Sequence, residues 1–241
     1  MTGRNDESND EATMSDLVPV ITVDGPSGSG KGTLAVLIAR KLGWHLLDSG
    51  ALYRVVAAVA LDRGVDVRSG ANLLPLIDGL SIVFREDGLT VDGLEYSLRI
   101  REEDVSAAAS VVAAYPEVRQ AVLSMQLAMR KQPGLVADGR DMGTVVFPDA
   151  PLKIYLDASL EARALRRYNQ LIGKGLPATL PALLASLRER DERDKGRAVS
   201  PLKPAPDAFV IDSTKLSIDA VLALALQRAT AIGLIGSANI N

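Results

Sequence analysis

The chain has 241 residues, 47% of them hydrophobic, with a formal net charge of −3 and no cysteine. That balance supports one α/β domain of good size with room for a small insertion. It leaves no disulfide, thiolate zinc site or thiol nucleophile, and no basic field for a nucleic-acid backbone. Mean hydropathy is +0.14 and the isoelectric point is near 5.3. No apolar run approaches the roughly 18–20 residues of a membrane span. Residues 1–16 are polar and acidic, the opposite of a secretory signal. The expectation is a cytoplasmic protein with a disordered acidic tail over 1–16 and a fold that starts at Leu17.

The apolar run 18–23 predicts a strand, and it leads into Gly25, Pro26, Ser27, Gly28, Ser29, Gly30, Lys31, Gly32 and Thr33. A helix over 32–42 follows, stopped by Gly43. Strand, glycine-rich turn and helix form the setting in which GxxxxGK cradles nucleotide phosphates. Glycines let the backbone close around phosphate oxygens, and the positive end of the helix faces the anion. Lys31 then places an ammonium on the outer phosphates. The plain alternative is an ordinary glycine-rich βα turn, against which the lysine at the helix start argues. One departure stands out, because Gly32 follows the lysine and the hydroxyl comes one residue later, at Thr33.

A short strand over 45–48 and a helix over 50–63, with Gly64 as its stop, come next. His45 is the only histidine; one histidine builds no zinc site, and it reads as structural. Short β-like runs at 81–85, 89–91 and 94–97 are separated by Glu86-Asp87-Gly88 and Asp92-Gly93, which predicts antiparallel hairpins. They are read as an insertion over 73–101. Helices over 103–114 and from Pro116 follow. Parallel-sheet grammar resumes at 134–138 and 152–157. Charged helices over 160–172 and 180–194 are joined by a Gly/Lys/Pro turn at 173–177, suited to a lid. A strand over 208–212 and a helix over 217–232 end the pattern. That helix carries Gln227 and Arg228 and docks on the core.

Phosphoryl transfer needs alignment of donor and acceptor, and positive charge where the moving group passes. Asp138 ends an apolar strand in the manner of a Walker B carboxylate and, with Thr33, is a candidate Mg²⁺ ligand, directly or through water. The alternative is that Asp138 caps the next turn. Arg54 and Arg140 sit at loop ends. Arg190, Arg193 and Arg197 are three and four residues apart and share a helix face. Asp191 and Asp194 alternate with them, which on its own also describes a solvated helix laced with weak ion pairs. Arginine is the better residue for bidentate phosphate contacts, and the chain already carries a phosphate loop.

From residue 18 to the last helix the chain resembles the bacterial cytidylate kinases of the nucleoside monophosphate kinase group. The most specific segments are 21–33, 46–54, 137–148 and 189–194, with Arg197 and Pro201. Gly32 after the lysine is usual in that group. The resemblance implies a three-layer α/β P-loop fold with a central parallel sheet, a core over 17–72 and 102–241 and a short helical lid at about 166–178. The insertion at 73–101 matches an antiparallel-β part of the acceptor-binding subdomain. It implies transfer of the γ-phosphate of Mg-ATP to CMP or dCMP. Nothing in the sequence demands a partner chain, and the expectation is a monomer. Gly25 through Thr33 would bind ATP, and Arg166 and Arg167 would close over its phosphates from the lid. Lys31, Arg140, Arg190 and Arg197 would be catalytic. Arg54, Arg140 and Arg197 would hold the acceptor phosphate, Arg190 and Asp194 the sugar hydroxyls, and Ser49 and Tyr53 would line the pocket. Ser110, Arg119 and Asp141 would read cytosine.

That last assignment has its own chemical logic. Cytosine offers an amine that donates and N3 and O2 that accept, matching an aspartate and an arginine. Uracil reverses the edge, and each mismatched buried group costs about 1–3 kcal/mol. The rivals are another small-molecule P-loop kinase, for instance one acting on shikimate, and a nucleotide-dependent switch without chemistry. The first has no reason to carry the hairpin insertion with the base-reading set, and the second needs no second ring of arginines.

Overall fold

A computed structural model describes residues 17–84 and 88–236. The acidic tail, Arg85 and the Glu86-Asp87 turn lie outside the described residues. In chain order the first half comprises β1 (Val20–Asp24), α1 (Lys31–Leu42), β2 (His45–Asp48), α2 (Ser49–Asp62), α3 (Gly70–Asp78), β3 (Ile82–Phe84), β4 (Leu89–Val91) and β5 (Leu94–Glu95). The second half comprises α4 (Glu103–Val112), α5 (Pro116–Leu127), β6 (Leu135–Gly139), β7 (Leu152–Asp157), α6 (Leu160–Ile172), α7 (Leu180–Lys195), β8 (Phe209–Asp212) and α8 (Ile218–Ala231).

Five strands form one parallel sheet in the order β2-β6-β1-β7-β8. Parallel neighbours need long crossovers, and the helices supply them. The strands read as nearly unbroken apolar runs because both faces are covered. Successive residues point to opposite layers. Val20, Leu47, Leu135 and Ala137 join the core under α2, α4 and α5. Ile21, Val23, Val136, Ile154 and Leu156 join the core under α1 and α8. In such sheets ligands bind outside the carboxyl ends of the strands. Here those ends carry Asp24-Gly25, Asp48-Ser49 and Asp138 to Asp141.

The hairpins form a separate antiparallel sheet in the order β3-β4-β5. It is tied to the end of α2 by Arg63 on Asp92 (2.8 Å), Tyr96 on Asp62 (3.0 Å) and Arg99 on Asp62 (3.0 Å). The expected insertion boundary at 73 falls inside α3, which the sequence reading had not separated as a helix. Gly70 at its start and Pro75 within it hide the helical period, while Leu73, Leu76 and Ile77 bury one face. Other boundaries shift by one or two residues, as frayed ends do. A five-residue π-turn at Met142–Val146, absent from the sequence reading, follows β6 after Arg140 and Asp141.

Candidate active site

The phosphate loop runs from the end of β1 to the start of α1. A Cβ on Gly25 would sit 2.1 Å from the Leu156 carbonyl oxygen, so no side chain fits there. Gly30, in the left-handed region at φ 97°, is the N-cap of α1 and supplies no side-chain cap. The first-turn N–H groups of α1 are thus available to an anion, with the helix dipole behind them. Two arginines of α6 hold the loop by its carbonyls. Arg163 Nη1 donates to Ser27 O (3.0 Å) and Arg166 Nη1 to Ser29 O (2.9 Å).

Lys31 is half-buried and lines a cavity of about 150 Å³ whose walls come from β2, α2, α4, α5, the β6 turn and α7. Its ammonium lies 3.6 Å from Asp138 Oδ1. Burial, helped by the nearby Arg140, brings the lysine down to about 8, while Asp138 and Asp48 pull the other way. Asp138 is pushed up by burial against the attraction of Lys31. Asp138 Oδ1 is buried with no hydrogen-bond partner. A Cβ on Gly32 would stand 3.0 Å from Asp138 Oδ2, which gives the departure at Gly32 a steric reason.

Across the cavity the arginines are organised by carboxylates. Asp48 caps α2 by accepting from Ala51 N (3.0 Å) and also accepts from Arg54 Nη2 (2.7 Å). Asp194, only 1% exposed, accepts from Arg140 Nε (2.9 Å) and Arg197 Nη2 (2.6 Å). Burial alone would raise its pKa, but Arg140 and Arg197 outweigh that and hold it below the usual carboxylate range. Among the described residues Arg190 has no carboxylate of its own; it meets Ser106 Oγ at 3.4 Å. Burial, with Arg140 adding to it, brings it down to about 10. The Nε groups of Arg190 and Arg197 are buried without acceptors. Desolvated cations with unused donors make a strong demand for an anion.

Deeper in the wall, Arg119 and Asp141 form a buried ion pair, and Arg119 stands over the Tyr53 ring at 5.7 Å from its centroid. Burial pushes the Tyr53 hydroxyl to about 12, so it stays a neutral donor. Ser110 also lines the cavity, its hydroxyl accepting from Arg193 Nη1 (2.8 Å). A second cavity, of about 190 Å³, opens on the other side of the loop. Its lining includes Ser29, Gly30, Thr33, Leu156, Arg166, Ser213, Leu216, Ile218 and Val221.

The structure thus brings Ser27, Lys31, Ser49, Tyr53, Arg54, Ser110, Arg119, Asp138, Arg140, Asp141, Arg190, Asp194 and Arg197 to one cavity. Several of the expected site residues also have partners within the protein. Asp194 lines the cavity while its two oxygens hold Arg140 and Arg197. Thr33 and Asp138 do not share a cavity, since Thr33 lines the second one. Arg166 grips Ser29 O and Ser213. Arg167 pairs with Glu103 (3.3 Å) and Gln170 (2.9 Å) and lines neither cavity. Arg193, on the same predicted face as Arg190, turns instead to Ser110 and Glu189. His45 lies near the backbone of Gln132 (2.8 Å), in keeping with a structural role.

Sequence reasoning missed Asp24, Asp48, Arg163 and Asp191. Arg163 is 4% exposed and donates to Ala158 O (3.0 Å), Ser27 O and both oxygens of Asp191 (3.1 and 2.5 Å). Asp24 and Asp48 each end a strand at its carboxyl edge. That position is the one signal which would have singled them out.

A cytidylate kinase family model matches residues 21–231. The chain is 56% identical over 220 residues to a cytidylate kinase of Aeromonas salmonicida, covering 90% of this chain and 96% of that one. It is 54% identical over 220 residues to a cytidylate kinase of Klebsiella pneumoniae, covering 90% and 97%. Among solved structures, TT1252 from Thermus thermophilus matches at 22% identity with a TM-score of 0.45, covering 90% of this chain and 98% of that one.

Proposed function

The chain belongs to the cytidylate kinase family, and from that premise we propose that it transfers the γ-phosphoryl group of ATP to CMP or dCMP, giving ADP and CDP or dCDP. The observation that carries the reading is one cavity that joins Lys31 of the phosphate loop to Arg54, Arg140, Arg190 and Arg197 and to the Arg119–Asp141 pair. A switch protein needs only the loop. A second anion site facing it is what a transfer reaction requires.

In this reading the backbone of 25–33 holds the donor phosphates. The second cavity, with its apolar Leu216, Ile218 and Val221 and the Arg166 guanidinium, takes the donor's nucleoside. Arg54, Arg140 and Arg197 hold the acceptor phosphate, Arg190 reaches the sugar hydroxyls, and Asp194 keeps Arg140 and Arg197 aimed. Lys31 stabilises charge on the phosphoryl group as it moves, and the crowd of buried cations does so without reorganisation at the moment of transfer. Asp141 accepts from the cytosine amine and Arg119 donates to the ring edge. The Asp138 oxygen that has no hydrogen bond fits a Mg²⁺ ion, which would be held there with mostly phosphate and water oxygens and would neutralise phosphate charge. No group of three or more acidic or histidine side chains that could hold a metal ion occurs among the described residues. The protein is read as cytoplasmic and monomeric. No helix among the described residues is long and apolar enough to cross a membrane.

The test is an ADP-release assay with ATP and CMP, dCMP, UMP, AMP or shikimate. Turnover is expected to be fastest with CMP and dCMP. Turnover of shikimate alone, or of no acceptor, would overturn the reading.

A further inference from the structure

Asp24 is the last residue of β1 and lines neither cavity, yet it is buried between the phosphate loop and the turn after β6. Its two oxygens are both used: Oδ1 accepts from Met142 N (2.9 Å) and Oδ2 from Gly143 N (2.8 Å). These are the first N–H groups of the π-turn, which no carbonyl of the turn itself satisfies. At its other end the turn closes on Asp141, whose carbonyl accepts from Val145 N (2.9 Å) and Val146 N (3.2 Å). The turn rests closely on β1. A Cβ on Gly143 would lie 2.8 Å from Thr22 Oγ1 and 3.1 Å from Lys153 Cγ. A two-pronged carboxylate therefore clamps the backbone just after Asp141, the residue whose side chain is paired with Arg119.

We propose that Asp24 is a positioning residue for acceptor selectivity: by clamping Met142 N and Gly143 N it fixes the backbone from which Asp141 reads the base. The inference rests on the base-reading role of Asp141 and deepens it. The side chain of Asp141 is steered at one end by Arg119 and at the other by this clamp. Two rigid anchors give the hydrogen-bond geometry that discriminates an amine from a carbonyl oxygen at the same ring position. The same carboxylate directly precedes Gly25, so the donor loop and the base-reading turn share one origin on β1. Burial raises Asp24 to about 7 and the two backbone hydrogen bonds oppose it, in keeping with a group enclosed for its contacts.

The experiment compares kcat/KM for CMP and UMP in the wild type, Asp24→Asn, Asp141→Asn and the double variant. Asparagine keeps the size of Asp24 but turns an amide N–H₂ toward one backbone N–H. The ratio of the two specificity constants does not depend on the fraction of protein folded, so a loss of stability does not move it. Asp24→Asn is expected to lower the CMP-over-UMP ratio about tenfold, with KM for ATP within about threefold of wild type. Because Asp24 acts through Asp141, the double variant should lose little more selectivity than Asp141→Asn alone. Should Asp24→Asn not fold, Gly143→Ala lifts the same turn from β1 and should lower the ratio in the same way. A soluble Asp24→Asn with wild-type selectivity, or losses that simply multiply in the double variant, would overturn the inference while leaving the Asp141 assignment standing. A wild type indifferent to CMP and UMP would overturn the base-reading assignment and this inference together.

Discussion

The donor side of the cleft is built from backbone, the acceptor side from side chains. From Gly25 to Thr33 a few consecutive residues supply nearly every group that faces a triphosphate, and glycine is needed because Leu156 O leaves no space for a Cβ. The acceptor wall collects arginines and carboxylates from elements scattered between β2 and α7, and Arg140 is set by a carboxylate 54 residues away in sequence. Backbone donors are present in any chain that makes the turn, so this half tolerates side-chain change wherever the turn survives. The other half depends on single hydrogen bonds. Lys31 is the exception on the donor side, being its one charged side chain inside the acceptor cavity.

That makes Lys31 the sharpest place to break the contrast. Lys31→Met keeps the loop backbone and the length of the side chain while removing the charge nearest the moving phosphoryl group. The expected result is a loss of about a thousandfold in kcat, with CMP binding by calorimetry within about threefold of wild type. A variant with more than a tenth of wild-type kcat would show that the arginines alone carry the transition-state charge.

The same division explains what could be read from the residues alone. The loop was legible because its groups are contiguous and the flanking strand and helix announce themselves by period. So was the five-strand order of strand and helix, since continuous apolar runs such as 135–137 follow from burial on both faces. The acceptor set was recovered as a list through the family resemblance, but not its wiring. Nothing in the spacing of Arg140 and Asp194, 54 residues apart, says that one holds the other. Arg190 and Arg193 have the same neighbours in sequence, yet one lines the cavity and the other bonds Ser110. Asp24 and Asp48 read as ordinary polar residues at strand ends until the sheet order places those ends together. Helix α3 was lost because propensity penalises Gly70 and Pro75, and packing of Leu73, Leu76 and Ile77 overrides it.

Asp194 offers the next largest effect and belongs wholly to the acceptor side. Asparagine there leaves Arg140 and Arg197 with one acceptor where two oxygens had stood, in a site too buried for water to substitute. Breaking a buried ion pair from one side costs about 3–5 kcal/mol when the surviving charge is stranded. Part of that is recovered when the acceptor phosphate arrives, so kcat/KM for CMP is expected to fall about a hundredfold. ATP affinity, measured separately, should change less than about threefold if the two halves are as distinct as their construction suggests. An equal loss for both nucleotides would erase the distinction.

The pH profile probes the one cation the halves share. Burial brings Lys31 to about 8. The working form is protonated, so activity is complete below that value and is lost as pH rises through it. In kcat/KM, which reports the free enzyme, the fall should approach tenfold per pH unit above about 8. Bound phosphates favour the ammonium, so the limb in kcat should lie at higher pH. Lys31→Arg, which cannot lose its proton in this range, should abolish the alkaline limb at whatever activity it retains. A flat wild-type profile to pH 10 would place the lysine outside the rate-determining charge.

The smallest effect comes from Gly32, where the donor loop touches the acceptor wall. Two terms of opposite sign meet in Gly32→Ala. Alanine is the better helix former in the first turn of α1, by about 0.5–1 kcal/mol. Its Cβ would press on Asp138 Oδ2 at 3.0 Å, and a carboxylate on a single side chain yields by a few tenths of an ångström more readily than backbone does. Stability should therefore hold or rise slightly. The displaced Asp138 sits 3.6 Å from the Lys31 ammonium, so kcat should fall by about fivefold, a cost of roughly 1 kcal/mol in the barrier. Thermal melting and steady-state kinetics on the same preparation separate the two terms. A lower melting temperature with unchanged kcat would mean that Gly32 serves the fold of the loop, and that the contact with Asp138 is incidental. A raised melting temperature with reduced kcat would mean that the glycine is kept for the carboxylate across the cleft, and that the backbone half is shaped at this point by the side-chain half.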